Sequence, residues 1–512
     1  MTAETAPKIT PPAPNLAGLT DDFVWQCLKA ESEGDGILFA RLFGDAVRYC
    51  VDMAVWFVWD GHIWREDKTQ VVFALVSSVV DCYGELKNSL SFEGDDEHKK
   101  GAAAKRARID RRIKHLRKPA GRNACLEFAW KGRAIAVEAS AFDADPYKLG
   151  VTNGTLDLKT GMLLAARPED MITKQSRAAY VPWADVPAEQ REVVETFFRQ
   201  IWDGDEEKTR FFQRMIGQAL IGEVVNHIFP FLLGRRARNG KTVLCAVLMH
   251  VFGGYGITFN SSLLCEQYAN SNNAAYEIIK FDGARLAISS EVKEGAVFSA
   301  DLIKRMTGGD PLIGRGLFQD FRTFQPRFLP LMLGNHEPQP PVGDNGFWDR
   351  ALLFNFPMRF EYEPDPAKKE LQRIDGYERV LLAAGDAFLS WFVEGALEYQ
   401  ADGCRLRPPE SVRKDTTEYR DDADWIMQFR SACTVESAAD TKSSDLYNVF
   451  VVWYREHINA RNVPSQVRFG KKMRETGLWE AIRKADGVYF RGIALNEIWA
   501  RRLADSEQGG MW

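Results

Sequence analysis

At 512 residues, with 45% hydrophobic content and 14 Trp, the chain is long enough for roughly three domains with sizeable cores, which excludes a disordered polymer. The longest apolar runs, such as Val71 to Val80, are too short to cross a bilayer, and the N-terminus lacks the basic-then-apolar order of a secretion signal, so a cytoplasmic protein without a membrane partner is expected. A net charge of −5 excludes a uniformly basic nucleic-acid binder, so that local charge becomes the informative quantity.

The proline-rich opening, residues 1–20, is expected to be a disordered tail that gives way to a helix capped near Thr20-Asp21-Asp22. Alternation through Ala54 to Trp59, a turn at Asp60-Gly61 and resumption at Ile63-Trp64 predict a hairpin, with helical periodicity from about Thr69. From His98 to Arg122 one acid, Asp110, stands among dense Lys and Arg, a pattern that suits a solvated helix face and phosphate contact equally. Residues Tyr147 to Leu164 alternate around two turn signals and predict short β structure. Eight scattered cysteines without a Cys-x-x-Cys pair, and histidines away from metal-ligand spacing, give no reason to expect a disulfide framework or structural metal.

Helices resume from Pro187, with a break at Asp203-Gly204-Asp205. The apolar run Ile228 to Leu233 then feeds a loop, Gly234 to Gly240, ahead of Lys241-Thr242 and a predicted helix to about Phe252. A strand, a turned loop and a helix start form an anion cradle: backbone N–H groups and the positive helix end face the phosphates, Lys241 adds a full charge, and the Thr242 hydroxyl suits magnesium. Gly234, Asn239, Gly240, Lys241 and Thr242 are therefore the candidate ATP-binding residues. Five residues separate Gly234 from Gly240, one more than the usual four.

A mostly helical span is expected to Ile279, then short buried strands ending at Glu291 and, over Leu329 to Gly334, at Asn335. Strands alternating with helices after a phosphate loop predict a parallel α/β sheet with its ligand at the strand carboxyl ends. Glu291 stands where nucleotide hydrolases keep the carboxylate that aligns magnesium and water; Ser290 precedes it, so Glu291 serves both tasks or Glu294 or Asp310 assists. Pro408-Pro409 marks an expected linker. Beyond it, a helix over Leu446 to His457, a second from Pro464 to Arg474 and a hairpin around Asp486-Gly487 read as a winged helix, whose second helix carries Arg468, Lys471 and Lys472 for duplex or forked DNA.

From Ile37 to Leu495 the chain resembles the superfamily 3 DNA helicases of phage, plasmid and poxvirus replication, the primase-helicase type. The resemblance runs in order through Phe142 to Pro146 with Val151 to Gly154, Gly217 to Gly222, Asn239 to Thr242, Ser290-Glu291, Leu302 to Pro311 with Arg315, Gly334 to Pro338, and Asp344 to Arg350. It implies an AAA+-related P-loop ATPase, hexameric and dependent on ATP and Mg2+, that moves 3′ to 5′ on single-stranded DNA during replication of a mobile element in a bacterial cytoplasm, in company with a separate primase or other replication proteins. It assigns Asn335 as sensor and Arg350 as the finger reaching a neighbouring subunit's nucleotide; Asp349 stands where the family often has a first arginine.

The resulting organisation is a tail over 1–20, an N-terminal region over 21–186, a helical collar over 187–225, the ATPase core over 226–407 and the winged helix over 408–512. Arg315 to Phe324 reads as a pore-facing hairpin in which Pro326 and Pro330 argue against a central strand. Lys304, Arg315 and Arg322 are candidate DNA contacts. Phe321 suits base stacking and a core position equally. Asp143 and Asp145, spaced like metal ligands, are expected instead to cap turns. The rival reading, from the long loop and single acid, is a DNA-binding initiator or scaffold with a decayed ATPase.

Overall fold

In the computed structural model, which describes residues 9–91, 93, 95–234, 236–265, 268, 272–291, 298–316, 321–335, 344–423, 425–458, 463–475 and 478–507, helix α1 (Asp21–Lys29) begins at Thr20, whose hydroxyl accepts the Phe23 N–H at 3.3 Å. Residues 9–20, expected as tail, lie against the helices that follow: the Asn15 N–H donates to the Leu42 carbonyl at 2.8 Å, and Ile9 and Leu19 pack on the buried cluster beneath. Two units divide the chain, residues 1–185 with 250–255, and 186–249 with 256–512.

In the first unit α2 (Glu31–Phe43) leads into β1 (Val47–Cys50), β2 (Val55–Trp59) and β3 (Trp64–Glu66), the last two forming the expected hairpin. Asp60 closes its turn by accepting the His62 and Ile63 N–H groups at 2.8 Å. Helix α3 (Val71–Asn88) starts where the Asp67 carboxylate accepts the Val71 and Val72 N–H groups at 2.8 Å. Helices α4 (Asp96–Leu116) and α5 (Pro119–Trp130) and strand β4 (Ala136–Val137) follow, with sheet order β3-β2-β1-β4. In α4 only Ala102, Ile109 and Leu116, seven residues apart, are fully packed. Asp35 of α2 is wholly buried, accepting from Tyr83 Oη at 2.8 Å and Arg112 Nε at 2.8 Å. The meander β5 (Lys148–Val151), β6 (Gly154–Asp157), β7 (Met162–Leu164) completes this part.

In the second unit α6 (Ala188–Ile201) and α7 (Glu206–Ile221) precede β8 (Phe229–Leu233) and α8 (Lys241–Phe252). Then come β9 (Gly256–Phe259), α9 (Asn272–Ile278), β10 (Leu286–Ser289), α10 (Ala300–Gly308), β11 (Leu312–Gly314), β12 (Arg322–Phe324), β13 (Leu329–Gly334), α11 (Asn345–Trp348) and β14 (Ala351–Asn355). Five of these strands make one wholly parallel sheet, ordered β14-β8-β13-β10-β9. The span expected as mostly helical after Gly254 instead opens with β9, too short to give a clear period of its own.

Strand β13 has the bounds expected for it, but, with Pro330 inside, it stands in the middle of the sheet, a place the proline argued against. The Leu329 N–H bonds toward β10, so position 330 faces β8, whose pairing begins only at Met332; no ladder donor is lost there. The pair β15 (Arg359–Glu361), β16 (Glu370–Gln372) and helices α12 (Tyr377–Ala383) and α13 (Gly385–Ala401) follow. Helices α7 and α13 meet backbone to backbone: a Cβ on Gly217 would come within 2.3 Å of Ala396 N, and one on Gly395 within 2.4 Å of Gln213 O. Among the described residues no single helix is long and apolar enough to cross a membrane.

The boundary expected at 408 falls further on. Helix α14 (Glu410–Ala423) packs on the sheet, its Thr416 Oγ1 accepting the Leu353 N–H at 2.9 Å and Tyr419 lying in the core with Phe231 and Trp348. A separate core around Trp425, Phe429, Phe450 and Phe469 organises α15 (Trp425–Cys433), β17 (Thr434–Lys442), α16 (Ser443–His457), α17 (Gln466–Glu475), β18 (Glu480–Lys484), β19 (Gly487–Leu495) and α18 (Glu497–Glu507). Its three strands are antiparallel in the order β17-β19-β18.

Candidate nucleotide site

The segments leaving the carboxyl ends of three adjacent strands, β8, β13 and β10, carry Lys241, Asn335 and Glu291. Lys241, 4% exposed at the start of α8, donates from Nζ to the Gly234 carbonyl at 3.0 Å and to Asn335 Oδ1 at 2.7 Å. Asn335 Nδ2 donates in turn to Glu291 Oε1 at 2.8 Å. An ammonium only donates and an ionised carboxylate only accepts, so this placement fixes which end of the amide faces which neighbour. Burial holds the Lys241 pKa below the ordinary lysine value, and the Glu291 carboxylate opposes that shift.

The phosphate loop accommodates its additional residue by bending. Arg238 takes a left-handed φ of 61° and Gly240 one of 88°. The bend is held from outside: the Arg238 carbonyl accepts the Phe360 N–H at 2.8 Å, its guanidinium pairs with Glu361 at 2.7 Å, and Arg236 donates to the Lys368 carbonyl at 2.9 Å. A Cβ on Gly234 would sit 1.7 Å from Asn239 Nδ2 and 2.5 Å from Lys241 Nζ, so a larger residue there would displace both side chains. Asn239 is buried and donates to the Arg236 carbonyl; Thr242 is exposed on the first turn of α8.

Ser290 stands where a second acid would otherwise be, and its hydroxyl accepts the Ser261 N–H at 3.0 Å while Ser261 Oγ donates to the Glu291 carbonyl at 2.8 Å. These bonds tie the backbone at Glu291 to the end of β9. Of the two proposed assistants, Asp310 is exposed after α10 and Glu294 lies outside the described residues.

Arg350 is not part of this cluster. It precedes β14, and its carbonyl accepts the N–H of Phe229, the first residue of β8, at 2.6 Å. Strand β8 then advances about 13 Å before the phosphate loop begins. The guanidinium donates to Thr307 Oγ1 at 3.1 Å and the Gly346 carbonyl at 2.7 Å, and Asp349 beside it is exposed.

The candidate DNA residues occupy three places. Lys304 on α10 pairs with Asp344 at 2.6 Å, a partner whose only sequence signal was its position in the Asp344 to Arg350 block. Strands β11 and β12 form the hairpin, begun earlier than expected at Leu312, and its tip over 317–320 lies outside the described residues. Just beyond the last strand pair, Gly314 with Arg322, the Arg315 guanidinium lies over Phe321 (4.7 Å) and Tyr276 (5.3 Å); Phe321 is 61% exposed rather than a core aromatic, and Arg322 pairs with Asp282. Tyr276 escaped sequence reasoning, because nothing local ties it to the hairpin. Arg468, Lys471 and Lys472 all lie on α17. In the first unit Asp145 accepts the Tyr147 N–H at 3.0 Å, a local turn bond, whereas Asp143 reaches thirty residues along the chain to accept the Thr173 N–H at 2.9 Å and pairs with Lys174 at 3.5 Å, a tertiary tie rather than the turn cap expected of it.

The family model described as D5 N terminal like matches residues 36–220. "Putative helicase L207/L206" of Acanthamoeba polyphaga mimivirus is 25% identical over 431 residues, 80% of this chain and 44% of that protein. "Putative primase C962R" of African swine fever virus (strain Badajoz 1971 Vero-adapted) is 25% identical over 358 residues, 65% of this chain and 36% of that protein. "Putative helicase 184R" of Invertebrate iridescent virus 6 is 22% identical over 349 residues, 63% of this chain and 36% of that protein. The chain thus spans less than half the length of these curated relatives. A solved structure, the apo NrS-1 C terminal region, aligns with 88% of this chain and 96% of its own at TM-score 0.45 and 9% identity. The matched N-terminal region, followed by motifs in the expected order and by helicase- and primase-named relatives along most of the chain, supports a superfamily 3 primase-helicase family.

Proposed function

We propose that this chain is the motor of a replicative DNA helicase, a hexameric, magnesium-dependent ATPase that moves 3′ to 5′ on single-stranded DNA in the cytoplasm of the cell hosting a viral or mobile replicon. The observation that carries the proposal is the chain of contacts from Lys241 through Asn335 to Glu291 at the carboxyl ends of adjacent parallel strands.

The residues fit ATP and its ion. Lys241 is held by two neutral oxygens, both of which γ-phosphate oxygens can replace, and a phosphate partner restores the charge that burial disfavours. Asn239 and Gly240 turn the backbone toward the phosphates. Thr242 and Glu291 are hard oxygen donors of the kind magnesium takes beside nucleotide phosphates and water, and they would hold it. When bound, the ion would neutralise charge on the β- and γ-phosphate oxygens. Glu291 aligns the attacking water, and Asn335, already between cation and carboxylate, senses whether a γ-phosphate is present.

Arg350, at the opposite strand end from its own loop, is suited to completing a neighbour's site, which supports a ring in which hydrolysis needs an adjacent copy. The Arg315–Phe321 pair supports a sequence-tolerant contact with a single strand. Four helices, a three-stranded antiparallel sheet and the β18–β19 hairpin support the winged-helix reading, with α17 laid on duplex DNA through Arg468 and Lys471.

The test is steady-state ATP turnover with and without single-stranded DNA, and unwinding of a fork with a 3′ tail. Turnover stimulated by single strands, abolished by Lys241→Ala and Glu291→Gln, is expected. Absence of turnover in the wild-type protein with retained DNA binding would instead favour an initiator or scaffold, the reading to which Ser290 in place of a second acid lends itself.

A further inference from the structure

We infer that the outward face of α4 is a second, sequence-blind binding surface for duplex DNA, separate from the nucleotide site and from α17. From His98 to Arg122 there are eleven Lys and Arg against one acid, in a chain whose total charge is −5. The fold engages some of these cations and leaves six on the outward side; of the other two, Lys105 lies over the Trp25 ring at 5.4 Å and Arg106 falls outside the arc that the outward ones span. Arg112 turns inward onto buried Asp35 and Ser32, Arg108 donates to the Lys29 carbonyl, and Arg122 donates to the Phe73 carbonyl. Lys99, Lys100, Arg111, Lys114, Arg117 and Lys118 remain exposed.

At 100° per residue, those from Lys99 to Arg117 fall within an arc of about 120°, away from the Ala102, Ile109, Leu116 stripe. Between Lys99 and Arg117 the one acid on that arc, Asp110, is taken by Lys87, while exposed Asp96 lies on the same face one turn earlier, at the start of the helix. Ala103, Ala104 and Ala107, all exposed, form a low floor between the flanking cations, so that a phosphodiester backbone can approach the helix closely.

The geometry favours a duplex over a single strand. Lys99 to Lys118 extends about 28 Å, comparable with eight base pairs at ~3.4 Å each. No Phe, Tyr or Trp lies between them to stack an unpaired base. A row of cations without an aromatic platform recognises phosphates whose bases are already paired.

The test uses the full chain without nucleotide, so that failure of the ATPase reading leaves it intact. Binding of a blunt 20-base-pair duplex, of (dT)20 and of phosphatidylserine vesicles is measured across a salt series. The variant Lys100→Ala/Arg111→Ala/Lys114→Ala/Arg117→Ala is expected to lose roughly tenfold or more in duplex affinity and to flatten the logarithmic salt slope by roughly 0.9 per lost contact, about 3 to 4 in all. An exchange variant with Lys and Arg swapped at those positions should keep both, and basal ATP turnover should not change in either. Unchanged duplex affinity and slope, an equal loss in the exchange variant, an equal or larger loss on (dT)20, or a loss confined to vesicles would each overturn the inference.

Discussion

On the proposed function, replacing Asn335 by Ala should separate nucleotide binding from hydrolysis. The amide accepts from Lys241 at 2.7 Å and donates to Glu291 at 2.8 Å, so truncation removes two hydrogen bonds, each to a charged partner. Such bonds are worth about 1.5 to 3 kcal/mol apiece, and the partial exposure of Asn335 argues for the lower end. The Lys241 bond competes with the γ-phosphate; losing it should leave ATP affinity unchanged or tightened by up to roughly tenfold. The contact to γ-phosphate and water operates during hydrolysis, and a loss of about 3 to 4 kcal/mol there lowers kcat by roughly 10² to 10³. Fluorescent-nucleotide titration and single-turnover hydrolysis read the two effects separately. An Asn335→Ala protein with weakened ATP binding and normal kcat would show that the amide contributes only uniform binding, and the sensor argument would be wrong.

Three other outcomes follow from the same contacts. Because burial lowers the Lys241 pKa and phosphate favours its charged form, MgATP affinity should weaken as pH rises toward the alkaline range, beginning below the ordinary lysine value of 10.5; titrations from pH 7 to 10 on wild type and Lys241→Arg check this, with the arginine protein staying flat. Arg350→Ala should retain ATP binding but lose about 10³ or more in turnover, and mixing it with Lys241→Ala should restore part of the rate, since each supplies what the other lacks; no recovery despite verified mixed oligomers would refute action across a subunit boundary. Arg112→Ala should destabilise the N-terminal unit by about 3 to 5 kcal/mol, read by chemical denaturation at pH 7, because buried Asp35 loses its cation. Burial already raises the Asp35 pKa, and removing Arg112 raises it further; the variant's deficit should therefore shrink toward pH 4, where the protonated acid is tolerated, and grow as pH rises through the folded-state value.

Much of the parallel-sheet core is legible in the sequence because its strands are apolar runs followed closely by chemically distinctive residues: Gly234 after Leu233, Glu291 two after Ser289, and Asn335 after Gly334. What escaped is set by distant pairing. Strand β9 is short and only half-buried, and becomes a strand by lying against β10, with Gly256 opposite Leu286. The strand over Leu329 to Gly334 was expected, but not its central place, which Pro330 permits because its missing donor faces the side where β8 has not yet begun to pair. Pro408-Pro409 reads as a linker, yet Val412 and Tyr419 on the helix it starts are buried in the core beneath. At the site, Lys304 and Arg322 were legible as cations but their partners Asp344 and Asp282 were not, since each pair is separated by forty residues of sequence.

The overlong phosphate loop is the feature most able to argue against a working ATPase, and its geometry bears on how far that argument reaches. An inserted residue in a rigid turn would displace Lys241 from the strand end, leaving a buried ammonium to find partners elsewhere at a cost of several kcal/mol. Lys241 instead reaches back to Gly234 at 3.0 Å, the residue that opens the loop, so the added length is taken up between them. The left-handed Arg238 absorbs it, and the β15–β16 pair braces it through Phe360 and Glu361. Ser290 likewise has a task, fixing the backbone from which Glu291 projects. Both departures from the usual pattern are therefore built into the packing of the same cluster, with Lys241, Asn335 and Glu291 still in register.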